Sequence, residues 1–105
     1  MDLNFKRIQN DKLELLRDIS IKTFIETFES QNKKENIKQY LNTKMSLNNL
    51  KDELNNIDSY FYFIILKNKI IGYTKLNFES AQTEKIFIGK AFEVERIYLL
   101  SKYSL

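Results

Sequence analysis

Apolar and polar residues alternate along Leu3-Asn-Phe-Lys-Arg-Ile8, the period of two expected of a strand with one buried face. Asn10 or Asp11 then supplies a helix cap, and Asp11 and Glu14 sit where the positive end of the helix dipole favours acid. Apolar residues follow at Leu13, Leu16, Ile19, Ile21, Phe24, Ile25 and Phe28, mostly three or four apart. That spacing predicts an amphipathic helix of about 17 residues. Ser30-Gln-Asn32 breaks it, and Ile37, Tyr40 and Leu41, with Met45 beyond them, carry a second helix. Ser46 opens a third, with Leu47, Leu50, Leu54 and Ile57 on one stripe. The pairs Asn48-Asn49 and Asn55-Asn56 are poor helix formers, so this last helix is expected to be short.

From Ser59 the period shortens. Tyr60-Phe-Tyr-Phe-Ile-Ile-Leu66 is aromatic and β-branched and reads as a central strand covered on both faces. Lys67-Asn68-Lys69 forms a tight hairpin connection, because Asn68 tolerates the positive φ such turns demand. The chain returns along residues 70–78, where Gly72 marks a bulge or a close backbone approach. Residues 79–90 are polar with a single Gly89 and read as a surface loop, in which Ile86-Phe87-Ile88 is a candidate short extended stretch. A last strand covers residues 92–100. Within it Val94 and Ile97 lie three apart but Ile97 and Leu99 two apart. Either a β-bulge at Glu95-Arg96 shifts the parity, or both faces are covered and parity carries no information. The order of one strand, three helices and three strands predicts an α/β fold, an α+β layer in which helices cover an antiparallel meander.

Composition narrows the function classes. At 105 residues, with no repeat and no linker-like stretch, the chain is one small domain or part of one, 1–105. Its 43% hydrophobic and 30% charged content excludes wholesale disorder. The longest apolar run, 60–66, is far short of the ~20 residues of a membrane-spanning helix, and no secretory signal stands at the start. With no cysteine and no histidine there is no disulfide framework, no thiolate zinc site and no imidazole base. No metal and no membrane partner are expected, and a cytoplasmic location is the plain reading. The net charge of +3 comes from 17 basic and 14 acidic residues that are dispersed, not gathered into the stripe a nucleic-acid surface needs. A steep salt dependence of affinity for DNA or RNA would be required to revive that reading.

Several motifs together resemble the GNAT N-acetyltransferases: the element order, the Asn-Lys hairpin followed by Ile70-Ile71-Gly72-Tyr73, and Glu93-Val-Glu-Arg-Ile-Tyr-Leu99. Ser20-Ile-Lys-Thr-Phe-Ile-Glu-Thr-Phe28 and Glu35-Asn-Ile-Lys-Gln-Tyr-Leu41 are similar more narrowly to PaiA-like spermidine/spermine acetyltransferases. The resemblance runs over essentially the whole chain and implies the N-terminal half of the GNAT fold. It implies acetyl-CoA as cofactor, with the backbone of Ile97, Tyr98 and Leu99 pairing with the pantetheine arm. Glu93 stands at the position of a carboxylate that serves some members as general base, acting through water on a small-molecule amine such as a polyamine. The alternative is that Glu93 or Glu95 pairs with Arg96 or a lysine. Acidic Glu26, Glu29 and Glu35 on the first two helices either attract the cationic amine or form a solvated face.

The resemblance also implies a departure. The family's Gln/Arg-x-x-Gly-x-Gly/Ala loop, which runs into a helix and binds the pyrophosphate, would begin at Ser104, and its glycines would fall past Leu105. Weak or absent acetyl-CoA binding is therefore expected of these residues alone. A homo-oligomer formed through an open strand 92–100 is expected as well. The second function class is a non-catalytic truncated relic or interaction module that dimerises through that edge.

Overall fold

The structure, a computed structural model, describes residues 2–78 and 92–103. The loop expected at 79–90, with its extended stretch at 86–88, lies outside the described residues, as does Ser104. Strand β1 (Leu3–Arg7) leads through a 3-10 turn (Asn10–Lys12) into helix α1 (Leu13–Phe28). A second 3-10 turn (Glu29–Gln31) precedes α2 (Lys34–Thr43) and the short α3 (Leu47–Leu54). Strands β2 (Ser59–Leu66), β3 (Lys69–Phe78) and β4 (Phe92–Leu99) follow. All neighbours are antiparallel in one sheet of order β1-β2-β3-β4. This is the expected layer of helices on a meander, with β1 added beside β2.

Local chemistry accounts for the boundaries. Ser46 caps α3, its Oγ accepting from the Asn49 amide at 3.1 Å, which satisfies one of the donors a helix start leaves open. The start of α1 differs from expectation. Neither Asn10 nor Asp11 caps it; the 3-10 turn carries the chain in, and the Asn10 amide donates to Asn55 Oδ1 at 2.6 Å. Between β2 and β3, Lys67 and Asn68 both take positive φ, 49° and 66°. Two such residues form the turn whose twist matches a hairpin.

The core sits between α1 and the sheet, around Ile8, Leu16, Ile19, Phe61, Phe63 and Tyr73. The fully covered stripe of α1 runs Leu16, Ile19, Ser20, Thr23. Two small polar side chains bring the helix close to the strands there, and Thr23 Oγ1 satisfies itself on the Ile19 carbonyl at 2.8 Å.

Among the described residues the helices cover one face of the sheet. The expectation that β2 is covered on both faces holds in part: Phe61 and Phe63 are buried under the helices, and on the opposite face Ile64 is buried while Tyr60 and Tyr62 are half-buried. For the same reason β1 has no buried face. Phe5 is 58% exposed and joins Tyr62, Thr74, Leu76, Val94 and Ile97 around an apolar hollow on the open side. The stripe expected on α3 is corrected too, since Leu50 is buried but Leu47 is exposed and Ile57, past the helix end, is 85% exposed.

Two irregularities shape the β3 neighbourhood. Arg96 pairs with Lys75 and Val94 with Leu76, leaving Glu95 as an extra residue. The parity break at Glu95-Arg96 is therefore a β-bulge. At Gly72 a Cβ would run into the Tyr98 carbonyl oxygen and the Leu99 side chain. The close approach there is real, and a second bulge between β2 and β3 adjoins it.

Candidate functional site

The bulge decides which side chains share a face. In a regular strand Glu95 and Arg96 would point to opposite sides; with the extra residue, Glu93, Glu95 and Arg96 all meet groups on the helix-covered side. Arg96 forks onto Glu53 of α3, Nη1 to Oε1 at 3.0 Å and Nη2 to Oε2 at 2.6 Å. Lys75 lies 3.4 Å from Glu53 and 3.0 Å from Glu95, and Arg96 lies 3.1 Å from the other Glu95 oxygen. Buried Asn77 completes the cluster. Its Nδ2 donates to Glu93 at 3.0 Å and to Glu95 at 2.6 Å, while its Oδ1 accepts from Ser59 Oγ at 3.0 Å.

The charges in this cluster fix one another. Burial pushes the Arg96 guanidinium down, but the hydrogen bonds and charge of Glu53 more than reverse that, holding it above its ordinary range. Burial likewise pushes Glu95 up, and the Asn77 amide, Lys75 and Arg96 outweigh it, leaving the carboxyl below its ordinary value. Glu95 is thus ion-paired. Glu93, the expected base, is half-buried and accepts from the Asn77 amide.

Two clefts lie along β4. One, of about 410 Å³, lies between α1, α2 and β4 and is walled by Phe24, Phe28, Ile37, Tyr40 and Tyr98. The other, also about 410 Å³, runs along Ile97, Tyr98 and Leu99 past Glu26, Thr27 and Ser101. Tyr98 belongs to both. Glu26 Oε1 accepts from the Ser101 amide at 2.7 Å, pinning the chain after β4 against α1. Of the acidic residues singled out on the helices, the structure brings only Glu26 to the 97–99 stretch. Glu29 lines a separate groove together with Lys34 and Lys38, and Glu35, exposed in the first turn of α2, lines none of these clefts.

Sequence reasoning missed Asn77, Glu53 and the aromatic cleft. Phe24 and Phe28 were read as core stripe, and their spacing of four, with Tyr40 one helix on, is the signal that could have drawn attention to them. The Tyr40 hydroxyl is pushed up by desolvation, opposed by Arg96 and reinforced by Tyr98, Glu53 and Glu95, so the charged cluster adjoins the aromatic walls.

No family model matches the chain. Among curated proteins it is 33% identical over 85 residues to an uncharacterised N-acetyltransferase of the pepI 3′ region from Lactobacillus delbrueckii subsp. lactis, covering 81% of this chain. Its fold matches the PaiA N-acetyltransferase of Thermoplasma acidophilum, solved in complex with coenzyme A, with a TM-score of 0.74 over 99% of this chain at 21% identity. The chain belongs to the GNAT family. The aminoglycoside N-acetyltransferase AAC(6')-Iy, solved with CoA, shares the GNAT fold at a TM-score of 0.60 and 10% identity, over 96% of this chain and 57% of that one. The chain spans about half the curated relative, 49%, and 62% of the PaiA chain.

The arrangement at β4 fits one part of the cofactor that goes with a GNAT fold. β4 ends the sheet, so among the described residues its far edge has no strand partner; the Tyr98 carbonyl is turned toward Gly72 of β3, and the backbone groups of Ile97 and Leu99 point away from β3 along the groove. That is a template for an extended amide-bearing arm. Among the described residues there is no glycine turn leading into a helix N-terminus, the usual cradle of a diphosphate. Nor is there, among them, a group of side chains arranged to hold a metal ion, or a helix long and apolar enough to cross a membrane.

Proposed function

We propose that the protein is an N-acetyltransferase that moves an acetyl group from acetyl-CoA to a primary amine of a small molecule. The observation that carries this reading is the meeting of the two clefts at Tyr98: one presents a strand edge, the other a pocket with aromatic walls whose Tyr40 feels the charges of Glu53 and Glu95. Acetyl-CoA, when bound, supplies the activated thioester. The backbone of Ile97, Tyr98 and Leu99 holds the pantetheine arm as an added strand, which leaves their side chains free to shape the groove. Glu93 takes, through water, the proton that an ammonium must shed before its nitrogen becomes nucleophilic. Asn77 holds that carboxylate in place, and Glu95, locked between Lys75 and Arg96, keeps its own charge and does not compete for the role.

Glu26, which lines the β4 groove, adds negative potential where a cationic amine approaches, and Glu29 in the second 3-10 turn and Glu35 on α2 add to it from farther off. The resemblance to PaiA-like enzymes favours a polyamine among the candidate acceptors, and a cytoplasmic location goes with this chemistry. A second reading, a non-catalytic module that dimerises through residues 92–100, is favoured by the exposure of Val94 and Ile97, 51% and 62%, beside an open edge.

Acetyl transfer to a panel of primary amines, followed by thiol release, separates the two readings. Glu93→Gln is expected to lower kcat by about 10²-fold with little change in the KM for acetyl-CoA. Undiminished turnover in that variant removes Glu93 from the proposal, and thiol release with no amine tested leaves the dimerising module standing.

A further inference from the structure

The cleft between α1, α2 and β4 has a chemistry of its own. The Phe24 and Tyr40 rings lie 4.4 Å apart and within 4° of parallel, and Phe28 packs 4.7 Å from Phe24. Ile37 and Tyr98 complete the apolar walls, and the other lining groups among the described residues are the neutral amides Asn32 and Asn36. No charged side chain among the described residues lines it. The carboxylates whose fields reach Tyr40 are Glu53 and Glu95, and both are already engaged by Lys75 and Arg96.

An aliphatic polyamine carries several ammonium groups, and stripping water from each is unfavourable unless a carboxylate receives it. This cleft offers no such set. Its volume of about 410 Å³ suits a small ligand, and aromatic walls reward a flat apolar body through ring contacts and a single ammonium through the ring quadrupole. Tyr98 fixes the direction, because it is shared with the groove along 97–99. A ring seated against Tyr40 and Phe28 therefore carries its amine toward β4.

We infer that this cleft recognises the acceptor and selects a monoamine with a flat apolar body, an arylalkylamine, over an aliphatic polyamine. The inference rests on the acetyltransferase reading and sets this substrate class in place of the polyamine that the resemblance favours.

The test titrates 2-phenylethylamine and spermidine separately into the protein by calorimetry at one ionic strength. Phenylethylamine is expected to bind about tenfold more tightly or better. Tyr40→Ala and Phe28→Ala are each expected to weaken it about fivefold. Should those variants alter the circular dichroism, the exposed rim residue carries the test: Asn36→Lys weakens phenylethylamine and Asn36→Asp strengthens it. Tighter binding of spermidine, no binding of phenylethylamine, or binding indifferent to the Asn36 and Tyr40 changes overturns the inference. Thiol release measured in parallel keeps the two failures apart. Acetylation of spermidine but not phenylethylamine sinks the arylalkylamine and preserves the acetyltransferase. Cleft-dependent binding of phenylethylamine with no acetylation of any amine sinks the acetyltransferase and preserves the cleft's selectivity.

Discussion

Asn77 serves two carboxylates with one amide nitrogen, and what makes this tolerable is that Glu95 is also answered by two cations. That arrangement has a pH signature. The Glu95 carboxyl lies below its ordinary value of 4.5 in the folded chain, so folding favours its ionised form. The unfolded chain then binds the extra proton on acidification, and stability falls with it. The contribution is complete above the ordinary value and is lost as pH drops through the depressed folded one. Urea denaturation at a series of pH values from about 6 down to about 3 is expected to show this loss, and Glu95→Gln to flatten part of it, though the group is partly solvated and the effect correspondingly discounted. Equal slopes for the two proteins would take Glu95 out of the acid limb.

Among the elements, β4 left a mark in the sequence, a break in parity at Glu95-Arg96, which a bulge or a strand covered on both faces would equally produce and which the register with β3 assigns to a bulge. The hairpin, the Ser46 cap and Gly72 were readable for the same reason, each demanding a residue type that few others replace. What was not legible depended on partners far along the chain. Leu3 and Phe5 alternate like a strand with a buried face, but burial is granted by whatever covers that face, and the helices cover only the other one. Ser20 and Thr23 look like surface residues and lie in the core, because smallness, not apolarity, lets α1 approach the sheet. Around β4, Glu93 and 97–99 were singled out by the family resemblance, whereas Asn77, which depends on cross-strand register, and Glu53, which α3 brings to Arg96, were not. Gly72 ties the two together, since its missing Cβ lets β3 lie against the Tyr98 carbonyl. Gly72→Ala is expected to push β4 outward, costing about 1–3 kcal/mol in chemical denaturation. Amide exchange at residues 97–99 is expected to speed up with it. Unchanged stability and unchanged exchange would mean the strands have slack that the geometry does not show.

Among the described residues, the helices cover the sheet on one side. α1 and α3 bury Phe61, Phe63 and Tyr73, while Phe5, Phe92, Val94 and Ile97 stand 50% or more exposed on the opposite face, beside a strand edge with no partner among the described residues. Contiguous apolar surface next to an open edge is the combination that drives pairing between copies. A polypeptide of these 105 residues is therefore expected to self-associate, with sedimentation velocity showing a weight-average size that rises with concentration. The contact can be placed by charge. Val94→Lys puts a cation in the middle of the apolar hollow without touching the helix-covered core, and is expected to return the chain to monomer with its helical and strand signals intact. Were the parent chain monomeric at high concentration, with amide protection along residues 92–99, the open edge would have to be satisfied from within. The same edge is the one proposed to hold the pantetheine arm, so association and acetyl-CoA binding draw on the same backbone groups. Because weak binding is expected of these residues alone, a concentration series run with and without a large excess of acetyl-CoA should then show the cofactor pushing the equilibrium back toward monomer.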